Sequence, residues 1–175
     1  MNAIAAPSAE RERHAWRVLD DVLDPEVPAI SVTDLGIVRA VHAHDDTLEV
    51  VVTPTYSGCP ATEVIAQSIV DAIEGAGLGP VRVTQRRAPA WTTDWITPEG
   101  REKLRRYGIA PPGACGSADP QGVQVAPIRL MARNIACPRC GSAHTERLAA
   151  FGSTACKALY RCLDCREPFE HFKPI

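Results

Sequence analysis

The chain has 175 residues, 45% of them hydrophobic, and a net charge of −2, so it can form one ordinary domain and a smaller one. No apolar run approaches the roughly 18 residues of a membrane helix, and we expect no secretory signal at Met1 to Pro7. Residues 1–124 carry 11 Lys and Arg against 17 Asp and Glu, whereas residues 125–175 carry 8 against 4. This local basic excess is too small to indicate a nucleic-acid surface.

The helices and strands follow in a simple order. The first helix is predicted from Ser8 to the turn at Asp24, with its apolar positions on one face: Trp16, Leu19, Val22 and Leu23. Five further elements are predicted: a strand over 37–41, a second strand over 48–53 that forms a hairpin with it, a helix over 61–76, a strand over 81–84 and a helix to about Tyr107 that Thr97 caps.

This order predicts the fold class and the domains. We expect an α/β (α+β) domain over residues 8–110, in which helices pack on a small mixed sheet. Residues 111–124 are rich in Pro, Gly and Ala, which is typical of a linker. A strand is predicted over 123–131, and residues 125–175 form a small module resembling a zinc ribbon.

Two CxxC pairs indicate a metal site in that module. Cys137 and Cys140 form the first pair, and Cys162 and Cys165 form the second. The two-residue gap lets both thiolates of a pair bind one ion at about 2.3 Å, so four sulfurs can surround it tetrahedrally. We predict structural Zn²⁺, while iron or an iron–sulfur cluster is the alternative.

Three other residues of the module could join such a site. Cys156 is either a small buried residue or an additional thiol with a redox or cluster role. His144 and His171 could each replace a cysteine ligand, but two complete CxxC pairs make this unnecessary. The odd number of cysteines, seven in the chain, fits metal ligation in a reducing cytoplasm better than disulfide pairing.

Cys59 is the candidate reactive thiol. It precedes Pro60, which suits the first position of the second helix, so Cys59 would lie at or near the N-cap. Unpaired N–H groups and the helix dipole favour a thiolate there. The alternative is an ordinary buried cysteine. Three carboxylates are possible neighbours of this thiol, although an ordinary helix-ending turn explains the first two equally well: Asp24, Glu26 and Asp34.

Several longer motifs resemble a known family. Asp24-Pro-Glu-Val-Pro28, Ser31-Val-Thr-Asp-Leu-Gly-Ile-Val38 and Thr53-Pro-Thr-Tyr-Ser-Gly-Cys-Pro60 are similar to the metal–sulfur cluster assembly domain of iron–sulfur targeting factors. Further segments resemble the PaaD (or PaaJ) family, a component of bacterial phenylacetyl-CoA epoxidase systems: Pro89-Ala-Trp-Thr-Thr-Asp-Trp-Ile96, Gly108-Ile-Ala-Pro-Pro112, 151–162 and Glu167-Pro-Phe-Glu-His-Phe-Lys-Pro174. The resemblance covers residues 10–112 and 125–175 and omits the linker with Cys115.

The resemblance implies an accessory role and no catalytic activity of its own. In aerobic phenylacetate breakdown, the chain would help to assemble an iron or iron–sulfur centre in the oxygenase or the reductase of the epoxidase system. Cys59 matches the family's most functionally important cysteine and would carry iron or a cluster transiently. The implied partners are the other epoxidase subunits, with neither nucleic acid nor membrane.

The residues alone are also compatible with two other classes of function. A zinc-ribbon regulator that binds nucleic acid would need a more basic surface than this one. A thiol redox protein would pair Cys59 with Cys156 or Cys115 and would form a reversible disulfide.

Overall fold

The computed structural model describes residues 8–56, Gly58, 61–113 and 135–175. Within it the chain divides into two units, Met1–Leu104 and Arg105–Ile175. The predicted strand over 123–131 and the predicted linker from Ala114 onward lie outside the described residues. Among the described helices, none is long and apolar enough to cross a bilayer.

The first unit contains a three-stranded mixed sheet, so the predicted fold class is confirmed. β2 lies in the centre, antiparallel to β1 and parallel to β3. The unit's elements are α1 (Ser8–Leu19), β1 (Val38–His44), β2 (Thr47–Val52), α2 (Ala61–Gly75), β3 (Val81–Gln85), a short 3₁₀ helix (Thr93–Trp95) and most of α3 (Pro98–Tyr107), whose last three residues belong to the second unit.

The core of this unit comes from the central strand and the apolar stripe of the helices. β2 buries Leu48 and the consecutive residues Val50, Val51 and Val52, so its second half is covered on both faces. Val50 on β2 faces Val41 of β1 and Val83 of β3 in the sheet register. α2 buries positions four residues apart, which is one face of a helix. Its buried residues are Ala61, Ile65, Ile69 and Ile73.

The first helix is shorter than its apolar pattern predicted. α1 ends at Leu19, and successive backbone bonds from Asp20, Asp21 and Val22 turn the chain away. Val22 is still buried at 6% exposure, but Leu23 is 49% exposed. The prediction that Leu23 shares the core face of the helix is therefore wrong, because the turn rotates it outward. Trp16 is only half-buried.

The second unit is a four-stranded sheet in the order β4-β7-β6-β5. β5 and β7 both pair antiparallel with β6, while β4 pairs parallel with β7. The predicted boundary at residue 110 assigns Ile109 and Ala110 to the first domain, whereas the pairing of β4 places both in this sheet. The strands are β4 (Ile109–Ala110), β5 (Thr145–Ala149), β6 (Lys157–Cys162) and β7 (Pro168–Phe172).

Candidate functional site

The first CxxC pair sits in a tight turn before β5. The Cys137 N–H donates to the Ser142 carbonyl at 2.8 Å, and the Gly141 N–H donates to the Cys137 carbonyl at 2.9 Å. Gly141 adopts a φ of +78°, a left-handed conformation that glycine reaches without steric cost. The turn therefore brings the sulfurs of Cys137 and Cys140 to the same side of the backbone.

The second CxxC pair begins at the end of β6 and repeats this geometry. The Cys162 N–H donates to the Glu167 carbonyl at 3.0 Å. Arg166 follows Cys165 as Gly141 follows Cys140, and it too has a positive φ, of 68°. Both turns therefore have the same backbone form, although only the first uses a glycine.

The four sulfurs form one cluster. All four ligand atoms of Cys137, Cys140, Cys162 and Cys165 lie within 4.8 Å of one another. The Sγ atoms of Cys137 and Cys165 are 3.7 Å apart, and those of Cys140 and Cys162 are 3.5 Å apart. Four sulfurs bonded tetrahedrally to Zn²⁺ at 2.3 Å would lie about 3.8 Å apart. The two printed separations match this value, and shifts of at most about 1 Å bring all four sulfurs to an ion of this size.

The electrostatics of the cluster also favour a cation. Backbone N–H groups of Cys165 and Asp164 lower the pKa of the Cys162 thiol to about 7. The Glu167 N–H favours the Cys165 thiolate, but burial and the neighbouring sulfurs outweigh it and raise the pKa of Cys165 to about 12. Four thiolates so close together are unfavourable without a positive ion between them, and a bound divalent metal removes that cost.

The other candidate ligands of this unit lie outside the cluster. Cys156 is buried, and its Sγ lies 3.0 Å from the Thr154 hydroxyl. His171 is 4% exposed, and burial lowers its pKa to about 4. His144 lies near the cluster, but its Nδ1 is 3.0 Å from a carboxylate oxygen of Asp164. Within the described residues, four cysteines alone form the group that could hold an ion.

Asp164 is a residue that sequence reasoning missed. It lies between the cysteines of the second pair, and its carboxylate contacts Ser142 and His144, which follow the first pair. Hydrogen bonds from these two side chains hold the pKa of Asp164 below its usual value. A polar residue inside a CxxC spacer was the available signal, but its partner across the site is not visible in the sequence.

The candidate thiol Cys59 lies outside the described residues, so its predicted position at a helix N-terminus stays a prediction. The proposed carboxylate neighbours can be located. Asp24 is buried, and its Oδ1 accepts from the Glu26 N–H at 2.9 Å and the Val27 N–H at 2.8 Å. This is the geometry of an ordinary turn that a side chain closes.

Asp34 has structural partners at the start of α3. Its carboxylate accepts the Thr97 hydroxyl at 2.8 Å and pairs with Lys103, while the Thr97 N–H donates to its carbonyl at 2.9 Å. Thr97 Oγ1 in turn accepts from the Gly100 N–H at 2.9 Å, as predicted for a helix cap. Burial alone would raise the pKa of Asp34, but the hydrogen bonds from Lys103 and Thr97 hold it below its usual value.

The motif with two tryptophans packs against the segment after Asp34. Trp91 is buried, and its Nε1 donates to the Leu35 carbonyl at 2.9 Å. The guanidinium of Arg39 lies 3.5 Å from the ring centroid of Trp95. Gly36 packs so closely on Trp95 that a Cβ at this position would lie 2.6 Å from the Trp95 carbonyl oxygen. The segment with the two tryptophans and the segment from Leu35 to Arg39 therefore pack directly against each other.

Family comparisons divide the chain in the same way. Residues 12–84 match the model of an iron–sulfur cluster assembly protein family, and residues 125–173 match the model of the PaaD zinc beta ribbon domain. The chain thus combines a domain that matches the iron–sulfur cluster assembly family with a ribbon whose four cysteines could hold a metal ion.

The whole chain also matches a curated relative. It is 45% identical, over the full length of both chains, to a protein of Escherichia coli strain K12 that is named as a 1,2-phenylacetyl-CoA epoxidase subunit. The chain belongs to this family, the PaaD family.

Two further comparisons each cover about half of the chain. A protein of Porphyromonas gingivalis named as an Fe–S protein maturation auxiliary factor is 30% identical over 54% of this chain and 91% of its own length. A crystal structure of a domain of unknown function, DUF59, from Bacillus anthracis aligns with a TM-score of 0.52 at 21% identity. It covers 55% of this chain and 93% of that one, and it supports the fold alone.

Proposed function

We propose that this protein is a maturation factor of a multicomponent phenylacetyl-CoA epoxidase. It assists the assembly of an iron or iron–sulfur centre in the oxygenase or reductase subunit, in the cytoplasm, and those subunits are its partners. One observation carries the proposal: a chain that matches an epoxidase subunit over its full length contains an iron–sulfur assembly domain at residues 12–84.

The two units take different roles in this proposal. The cluster of Cys137, Cys140, Cys162 and Cys165 holds Zn²⁺ structurally, because four protein sulfurs leave no coordination position for water or a substrate. Cys59 receives iron or a cluster and passes it on, since it lies within the part of the chain that matches the assembly family. The bound ion stabilises the ribbon of the second unit, and the ribbon contacts the client subunit.

The role in maturation is tested by deleting the gene in its host. The oxygenase and reductase subunits are purified from the deletion strain, and their iron and cluster contents are measured against the wild type. We expect one of the two subunits to lose most of its metal while its protein level is maintained. Full metal content in both subunits would refute the proposed function.

The role of Cys59 is tested in the same strain by complementation. Cys59→Ser keeps a small polar side chain but removes the sulfur, so we expect soluble protein that fails to restore the metal content of the client. The matched control is Cys115→Ser, which changes a cysteine outside both matched segments and should restore it fully. If both variants restore the client equally, Cys59 is not the transfer thiol.

Metal analysis tests the assignment of the cysteine cluster. Purified full-length protein should contain about one zinc per chain, bound by the four clustered cysteines. Stoichiometric iron without zinc in an aerobic preparation would overturn the assignment of structural zinc.

A further inference from the structure

The two CxxC turns are joined by side chains as well as by the ion they would share. Asp164 lies within the second turn, and one of its carboxylate oxygens accepts the Ser142 hydroxyl of the first turn. Its other oxygen lies 3.0 Å from His144 Nδ1. We call Ser142, His144 and Asp164 the interknuckle clamp.

The clamp is supported by backbone bonds on both sides. The Ser142 hydroxyl accepts the His144 N–H at 3.0 Å, and the Leu163 N–H donates to the His144 carbonyl at 2.8 Å. The Ser142 carbonyl accepts the N–H of Cys137. Ser142 and His144 are therefore both held by backbone hydrogen bonds close to a cysteine of the cluster.

We propose that Asp164 is a positioning residue that, through Ser142 and His144, holds the two CxxC turns at metal-binding distance and slows loss of the ion. This inference rests on the proposed metal site. Partners one step beyond the ligands orient them, and replacing such a partner typically lowers metal affinity about 10–100-fold. The side chains of His144 and Asp164 are 67% and 56% exposed, so their pairing adds little to folding stability by itself.

The test measures zinc release from the full-length, zinc-loaded protein by an excess of a coloured chelator, pyridylazoresorcinol. Asp164→Asn removes one acceptor without changing the size of the side chain, and we expect it to release zinc about 10-fold faster or more. The matched control is Glu146→Gln. Glu146 pairs with Arg161 across β5 and β6, and its replacement makes the same change of charge outside the clamp.

A second variant and a spectrum complete the test. Ser142→Ala removes the other side of the clamp, so we expect faster zinc release that is not additive with Asp164→Asn. The thiolate-to-metal absorption of Co²⁺-substituted protein should broaden in both variants and stay unchanged in Glu146→Gln. If Asp164→Asn fails to fold with metal, Ser142→Ala decides the question.

The outcomes separate this inference from the proposed site. If wild-type protein holds zinc and both clamp variants release it at the rate of Glu146→Gln, the clamp has no positioning role, and the metal site stands. If wild-type protein binds no metal ion, both the site and the clamp inference are wrong.

Discussion

Replacing Gly36 with alanine should destabilise the first unit more than its backbone conformation alone explains. Gly36 has a φ of +69°, and an added Cβ would lie 2.6 Å from the Trp95 carbonyl oxygen and 2.7 Å from the Trp95 Cβ. Gly77 has the same φ of +69°, but nothing lies within 4 Å of its added Cβ. Comparing Gly36→Ala with Gly77→Ala therefore separates the free-energy cost of a left-handed backbone conformation from the cost of a steric overlap.

The expected magnitudes follow from these two terms. A left-handed conformation costs a non-glycine residue roughly 1–2 kcal/mol, and this is the whole expected cost of Gly77→Ala. Overpacking adds about 1–3 kcal/mol at Gly36, because the atoms it would meet belong to backbone and a Cβ and cannot rotate away. We therefore expect Gly36→Ala to lower the free energy of unfolding by about 2–5 kcal/mol.

Urea denaturation followed by tryptophan fluorescence measures this difference in the full-length chain. All three tryptophans, Trp16, Trp91 and Trp95, lie in the first unit, so the signal reports on that unit alone. At an unchanged m-value, a lower midpoint reports lost stability. Equal midpoints for Gly36→Ala and Gly77→Ala would refute the close packing between Gly36 and Trp95.

Three further predictions concern charged groups and metal. Asp34→Asn should destabilise the first unit by about 1–2 kcal/mol through its lost pairing at Thr97 and Lys103. Because the pKa of Asp34 is lower in the folded state, this loss should be constant near neutral pH and should vanish in urea titrations as the pH falls through the folded pKa. Glu170→Gln leaves the buried ammonium of Lys157, now 3.0 Å from Glu170, without its counter-ion, and thermal denaturation should show a loss of roughly 3–5 kcal/mol in the second unit. Cys162→Ser, or chelation of the metal, should unfold the ribbon, and circular dichroism should show this loss. The unfolding transition followed by tryptophan fluorescence should stay unchanged. A shifted transition would show that the stability of the first unit depends on the second.

Most elements of the first unit could be predicted from the sequence because their signals are local. The helical spacing of Ile65, Ile69 and Ile73 predicts the buried face of α2, and the alternation around Val50 predicts a strand. Thr97 followed by Pro98 marks the start of α3, which the structure places at Pro98. In each case, neighbours within about four residues determine the conformation.

The CxxC spacing likewise determined the candidate metal ligands. Two residues between cysteines fix the turn, and two such turns supply four sulfurs, which the structure brings within 4.8 Å. The spacing does not distinguish zinc from iron, because both metals bind sets of four cysteine sulfurs. The family motifs added the likeness to iron–sulfur assembly proteins, which spacing and periodicity do not contain.

The tertiary structure decided the contacts between residues distant in the chain. Ile109 and Ala110 join β7, a pairing that two residues cannot specify by their own pattern. Asp34 reaches Thr97 and Lys103, more than 60 residues away in the chain, while its proximity to Cys59 stays a prediction. Asp164 gained a role only when folding placed it against Ser142, 22 residues away in the chain. Neighbouring residues determine the backbone angles and the spacing of side chains along one element. Contacts between residues far apart in the chain depend instead on how separate elements pack, and no short sequence pattern encodes this packing.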